Sequence, residues 1–210
     1  LFFRFFLAFI VDRRPAAAST LTLGINMDGL NHWRYFLSIE REFTECLRYV
    51  EFTDEQRDVY SFEFARLLLL SCAELDVVLK VICSHIDSTS SADSIGQYFS
   101  CIDTKYNVPL EEVRVNRFSL ALRPFEDWTR DVPPAWWTAH NKVKHRRHES
   151  FHLASAINSL EAISGLFVAN LVLLSETSLI DSVGERPVLL GREHAPGYLM
   201  LEGGYQVRTR

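Results

Sequence analysis

The densest set of reactive side chains lies in one stretch, from Trp136 to His152. It holds four of the seven histidines, His140, His145, His148 and His152. Lys142, Lys144, Arg146 and Arg147 add four positive charges within six residues of an acidic chain. Cations can hold a phosphate while an imidazole moves protons near neutral pH, so the stretch suits chemistry on a phosphodiester. At helical spacing Trp137, Asn141 and His145 follow one another four residues apart on one side. The same run equally suits a solvated helix end, where Lys, Arg and His meet the negative pole of the macrodipole. A metal is disfavoured. His145, His148 and His152 would line one face of a continuous helix, but Lys144, Arg146 and Arg147 repel a cation.

Other ionisable residues have plainer readings. Glu63 and Arg66 are spaced i,i+3, and Asp76 and Lys80 i,i+4, as in ordinary helical ion pairs. Glu74 stands on an apolar turn without an evident local partner. It is either an edge position or a carboxylate reaching toward the basic run, since a buried one requires a partner. No phosphate-binding glycine loop, dinucleotide fingerprint or nucleophile elbow occurs, so nucleotide-fuelled and serine-hydrolase chemistry have no support. No cofactor is implied.

These residues must be positioned by helices. Leu30 to Val50 has apolar residues at three- and four-residue steps, with charges between them. Thr53 to Gln56 reads as a capping box opening a helix from about Asp54 to His85, apolar nearly all round from Leu67 to Cys83. Ser94 to Asp103 suits a short helix, and Val113 to Leu122 an extended stretch or short strand. Pro134 suits the first position of a helix reaching about His145, broken by the polar run Arg146 to Ser150. Phe151 to Ser175 is a second long helix, with Ser155, Asn158, Ser159 and Ser164 as its outer positions. Leu70, Val78, Leu160 and Phe167 are expected where the two long helices pack. Pro187 to Gly191 and Tyr198 to Leu201 read as two short strands with glycine turns. The expected fold is mainly α: a helical bundle with two long antiparallel core helices and a small C-terminal β-hairpin.

Length and composition set outer bounds. The 210 residues suffice for one domain with a sizeable core, and 48% hydrophobic content excludes a disordered chain. A net charge of −5 argues against the broad basic surface that duplex DNA requires, while leaving room for a local basic site. Cys46, Cys72, Cys83 and Cys101 show no CxxC spacing. About 16 Å of helix rise separates Cys72 from Cys83, so those two cannot pair. Reduced thiols and a cytoplasmic setting are the simplest reading. Residues 1–26 read as an extension outside the core. Their apolar start is too short for a membrane span, and Ala16 to Ala18 resemble a signal-cleavage zone. The expected layout is thus an extension over 1–26, a helical domain over 27–180 and a tail over 181–210, with no membrane association.

The run Pro124 to Trp128, then Trp136-Trp137, then Asn141-x-x-Lys144-His145-x-Arg147 followed by an apolar helix resembles prokaryotic HEPN-like proteins, as does Ala73-Glu74-Leu75 with Lys80. The resemblance spans residues 30 to 177 in layout and some ten residues in detail. It implies a helical bundle that forms a homodimer. It also implies one of two functions: a metal-independent ribonuclease of antiviral defence or toxin–antitoxin systems, or a non-catalytic module binding a protein partner, such as an antitoxin, or a nucleotide. The family signature is Arg, a polar residue, three variable residues and His. Around His145 the chain has Asn141 and the His, with His140 in place of Arg. Arg147-His148-Glu-Ser-Phe-His152 satisfies the signature as written. The implied catalytic residues are Asn141, His145, Arg147 and His152. Lys142, Lys144, Arg146 and His140 would bind substrate, with Glu74 and Trp137 in support.

Overall fold

A computed structural model describes the backbone of residues 16–191 and the side chains from Gly29 to Gly191. Five α-helices dominate: α1 (Ala16–Cys46), α2 (Phe62–Ile86), α3 (Ile95–Ile102), α4 (Ala135–Ser150) and α5 (Ala156–Glu176). Three short strands, β1 (Val113–Val115), β2 (Leu120–Leu122) and β3 (Leu190–Gly191), form an antiparallel sheet in the order β2-β1-β3. The architecture is therefore a mainly helical bundle with a small β element.

Helix α5 is the centre. All its residues are buried except Asn158, Glu161, Ser175 and Glu176. Its small polar residues, expected outside, lie inside: Ser159 and Ser164 are fully buried. Small side chains let neighbouring helices approach, and a serine hydroxyl can satisfy itself on a carbonyl of the preceding turn. Ser159 shows this, with Oγ on Ser155 O at 2.8 Å and on Phe64 O of α2 at 2.9 Å. By length and composition α5 could cross a membrane, yet 89% of its most apolar window is buried within the protein. Helix α2 instead keeps an outer face at Arg66, Ala73, Val77, Lys80 and Ser84. Val78, Leu160 and Phe167 are buried as expected, while Leu70 is half-buried at the edge of that face.

The two long core helices run in the same direction, a correction to the antiparallel expectation. Helix α1 runs antiparallel to α2, with Phe43 beside Phe64 and His32 beside Glu74. It also runs antiparallel to α5, with Phe36 on Phe167 and Gly29 against Thr177. Helices α2 and α5 are consequently parallel. Some 70 residues of chain, including α3, the β-hairpin and α4, separate them, ample for the return crossing that a parallel pair requires.

Several boundaries also differ, among them that of α5, which starts at Ala156 behind its N-cap Ser155 rather than at Phe151. Residues 53–58 form turns, with Gln56 N–H on Thr53 O at 3.1 Å, and α2 begins later. Its N-cap is Ser61, whose hydroxyl accepts from Phe64 N–H at 3.0 Å. The capping-box pattern was present, but the following segment pairs along the start of α5: Ala156 N–H reaches Val59 O and Ile157 N–H reaches Arg57 O, each at 2.9 Å. That pairing outweighs a local cap. Helix α1 is described from Ala16 onward, ahead of the expected boundary at Met27.

The stretch expected as a tail belongs to the fold through Gly191. Leu190 and Gly191 pair with Val115 and Arg114 of β1, so the sheet brings together segments far apart in sequence. The second expected strand, 198–201, lies outside the described residues. Glu40 of α1, fully buried, anchors this segment. Its carboxylate accepts the backbone N–H groups of Val188 at 3.0 Å and Leu190 at 2.9 Å, and that of Leu189 as well.

Candidate functional site

Helix α4 carries the basic run, and aromatic packing fixes its first half. Trp136 Nε1 donates to Pro124 O at 2.6 Å, and its ring lies 5.8 Å from that of Phe125. Phe125 in turn lies 4.8 Å from Trp128. Gly165 of α5 permits the approach, since a Cβ there would stand 2.9 Å from the Trp136 ring. The aromatic residues that carry the family resemblance are thus core residues that hold α4 against α5.

The inner side of α4 is Trp136, Trp137, Ala139, His140 and Val143. Continuing that stripe would bury Arg146 or Arg147, three or four residues beyond Val143. The helix instead kinks at Arg146, whose φ of −138° and ψ of 46° are not helical. This is the break expected after His145. It ends the continuous face on which His145, His148 and His152 would have aligned.

The outcome is an exposed basic ridge. Asn141, Lys142, Lys144, His145, Arg146, Arg147, His148 and His152 are all exposed. Glu149 is also exposed and lies 3.3 Å from His148 Nε2. Among the described residues none of the four Lys and Arg side chains has an acidic partner. Elsewhere Lys80 pairs with Asp76 at 2.6 Å and Arg66 with Glu63 and Glu42, the first two pairs as their spacing predicts, whereas Arg34, Arg57, Arg130 and Arg186, like the ridge, have no ion pair among the described residues. Among the described residues no group of three His, Cys, Asp or Glu side chains is arranged to hold a metal ion.

Two expected members stand apart from this ridge. His140 is buried and its ring lies 5.3 Å from that of Trp137. Burial pushes its pKa down to about 4, with Lys144 and His145 adding repulsion and Asp76 opposing. It is therefore neutral at pH 7 and cannot bind substrate as a cation. Glu74 does not reach the basic run; it bonds His32 Nδ1 of α1 at 2.6 Å. Trp137 is buried on the inner side of α4.

His140 has a measurable consequence. An unfolded histidine titrates near 6.5, so below that pH the unfolded chain takes a proton that the native state refuses. Its stabilising contribution is complete above about pH 6.5 and is lost as pH falls to about 4, up to roughly 3 kcal/mol. Urea unfolding of wild type and His140→Leu at pH 7.5 and 4.5 should show the variant losing less stability over that interval. Equal losses would mean that His140 takes up its proton in the native state as readily as in the unfolded chain.

Periodicity did not reveal what adjoins the ridge. Phe151, at the end of the kinked segment, touches Tyr60 and Phe62 from the start of α2, with ring centroids 5.4 and 4.9 Å apart. Tyr60 is 51% and Phe62 77% exposed. One signal was available in the sequence: Tyr60 and Phe62 flank a capping serine, where the first turn has no interior neighbour to cover it. One turn into α5, burial pushes the Glu161 carboxyl above the usual carboxylate range, against the pull of Arg57. Comparison with family models, with curated proteins and with solved structures found no match to this chain.

Proposed function

We propose that this protein is a HEPN-like RNA-binding protein acting in the cytoplasm as a homodimer, and that the ridge from Asn141 to His152 is a metal-independent ribonuclease site of a defence or toxin–antitoxin system. The observation that carries this reading is the clustering of four exposed cations, Lys142, Lys144, Arg146 and Arg147, without an acidic partner among the described residues, beside exposed histidines on an otherwise acidic chain. Cations left without carboxylates are available to phosphates, and such contacts dominate nucleic-acid affinity. The RNA's own 2′-hydroxyl would attack the adjacent phosphorus and expel the 5′-oxygen of the next nucleotide. One histidine would accept the first proton and another would protonate the leaving oxygen. Arg147, with Lys144, would stabilise charge on the phosphate.

The neutral state of His140 bears on which signature operates. A centre on His145 would place His140 where the family has Arg, and a neutral imidazole there cannot stabilise phosphate charge. Arg147 with His152 keeps an exposed cation and an exposed imidazole, so this pair is the favoured centre. The same fact supports a second reading, a non-catalytic module that binds RNA, a nucleotide or a protein partner through the ridge.

Incubating the full chain with structured RNA in EDTA tests the proposal. Cleavage to 2′,3′-cyclic phosphate and 5′-hydroxyl ends is expected, and a His145→Ala/His152→Ala variant should lose at least about 100-fold in rate, the lower range for removing general acid–base groups. RNA bound but uncut by the wild type would leave the binding module. Equal cleavage by both proteins would remove these histidines from the chemistry.

A further inference from the structure

We propose that Cys83 and Cys101 are a peroxide-sensitive thiol pair, in which Cys101 takes the oxidant and a disulfide to Cys83 then fastens α3 to the end of α2. The inference does not depend on the reading of the ridge. Three observations carry it. The pair is in contact: Cys101 Sγ lies 3.8 Å from the carbonyl oxygen of Cys83, and the two thiols are within hydrogen-bonding reach of each other. Helix α3 already presents this side to α2. Tyr98, three residues before Cys101 and hence on the same side, donates its hydroxyl to Asp76 Oδ1 at 2.8 Å. Finally, Cys101 is half-buried and lines an open cavity of about 570 Å³ together with Ser91, Ser94, Gln97, Arg130 and Asp131. A peroxide is small and polar, and the serine hydroxyls can hydrogen-bond it.

Exposure assigns the two roles. Cys83 is 1% exposed, and burial, then the neighbouring Cys101 thiol, pushes its pKa up, so it keeps its proton while Cys101 meets the cavity. The Cys101 thiolate attacks one peroxide oxygen. An S–O bond forms, the O–O bond breaks, and the departing hydroxide takes up a proton to become water. The sulfur is thereby oxidised to a sulfenic acid and the peroxide is reduced. The Cys83 sulfur then attacks the Cys101 sulfur. The S–S bond forms, the S–O bond breaks, and the Cys83 proton leaves with the hydroxyl as a second water. Two thiols and one hydrogen peroxide thus give one disulfide and two waters, with no other reactant. The remaining cysteines are placed differently. Cys72 is fully buried in the core, and burial followed by the Glu63 charge holds the Cys46 thiol protonated. In a reducing compartment the Cys83–Cys101 bond would be transient, as redox-sensing disulfides are.

The test treats the reduced full chain with hydrogen peroxide, blocks remaining thiols with an alkylating reagent and maps disulfides by mass spectrometry without reduction. Wild type should lose two hydrogens per chain, yield a peptide linked through Cys83 and Cys101, and regain the hydrogens with dithiothreitol. Cys101→Ser should abolish the linkage, and Cys46→Ser should leave it unchanged. Cys83→Ala lacks the second sulfur, so Cys101 should accumulate as the sulfenic acid and be labelled by dimedone, whereas Cys101→Ser should lose that label. Oxidation in urea should remove the preference for this pair, because only the folded chain holds α3 against α2. A preference that persists in urea would reflect nearness in sequence alone and overturn the proposal. So would the absence of any linkage in wild type, a link between other cysteines, or a link between chains. The wild-type map decides the pairing even where the Cys83 variant fails to fold.

Discussion

Glu40→Ala is expected to destabilise the protein by about 3–5 kcal/mol, with the loss centred on residues 188–190. The Glu40 carboxylate is fully buried on α1 and accepts three successive backbone N–H groups, those of Val188, Leu189 and Leu190. Hydrogen bonds to a charged group contribute about 1.5–3 kcal/mol each, and a buried donor left without an acceptor costs about 1–3 kcal/mol. The saved burial of a carboxylate offsets part of the total, which leaves the stated range. Glu40→Gln should cost less, because its amide oxygen still serves Leu189 and Leu190 while its NH2 faces the Val188 donor. Urea unfolding gives the magnitude and amide exchange gives the place. In the alanine variant the amides of 188–190 should exchange much faster than those of α5. A cost below about 1 kcal/mol, typical of an exposed site, would show that this segment does not depend on Glu40.

The second large effect concerns the core. Phe167→Ala should cost about 3–5 kcal/mol, toward the upper end. Phe167 is fully buried in α5, with Phe36 at 5.5 Å and Trp33 at 6.1 Å between ring centroids. The cost depends on whether neighbours can collapse into the space. Trp33 cannot move freely, because its Nε1 donates to Glu185 O at 2.9 Å. Phe36 is itself fully buried against the same cluster. The cavity should therefore persist. Thermal or urea unfolding measures the loss, and a cost under about 2 kcal/mol would mean that α1 closes over the gap.

The two effects differ in kind. Loss of Phe167 acts on the helix that every other long helix touches, so unfolding should remain a single cooperative transition. Loss of Glu40 acts on the last described segment of chain, which can detach locally before the bundle unfolds.

Much of the bundle was legible from local pattern. The short helix at 95–102, the helix opening after Pro134, its break at Arg146 and the long helix ending near Ser175 all follow from periodicity and proline placement, which are short-range properties. Burial of Leu160 and Phe167, and the Glu63–Arg66 and Asp76–Lys80 pairs, follow from spacing on a single helix. For the candidate site, the sequence determined a compact cationic run with four histidines on and just beyond one helix.

Only the tertiary structure decided which members of that run face solvent. His140 and His145 differ by five residues and are chemically alike, yet one is sealed against Trp137 and held neutral while the other is exposed. Helix spacing ranks positions relative to one another but does not say which side meets a neighbouring helix. Glu74 found His32, 42 residues away, instead of the basic run, because α1 lies antiparallel to α2 at that height. Helix direction was not readable either: α2 and α5 are each amphipathic or apolar whichever way they run, and their parallel arrangement follows from the path of the chain between them. The same holds for Leu190 and Gly191, which pair with β1. Local sequence sets where a strand can form; its partner depends on which edge the folded helices, here through Glu40, bring within hydrogen-bonding reach.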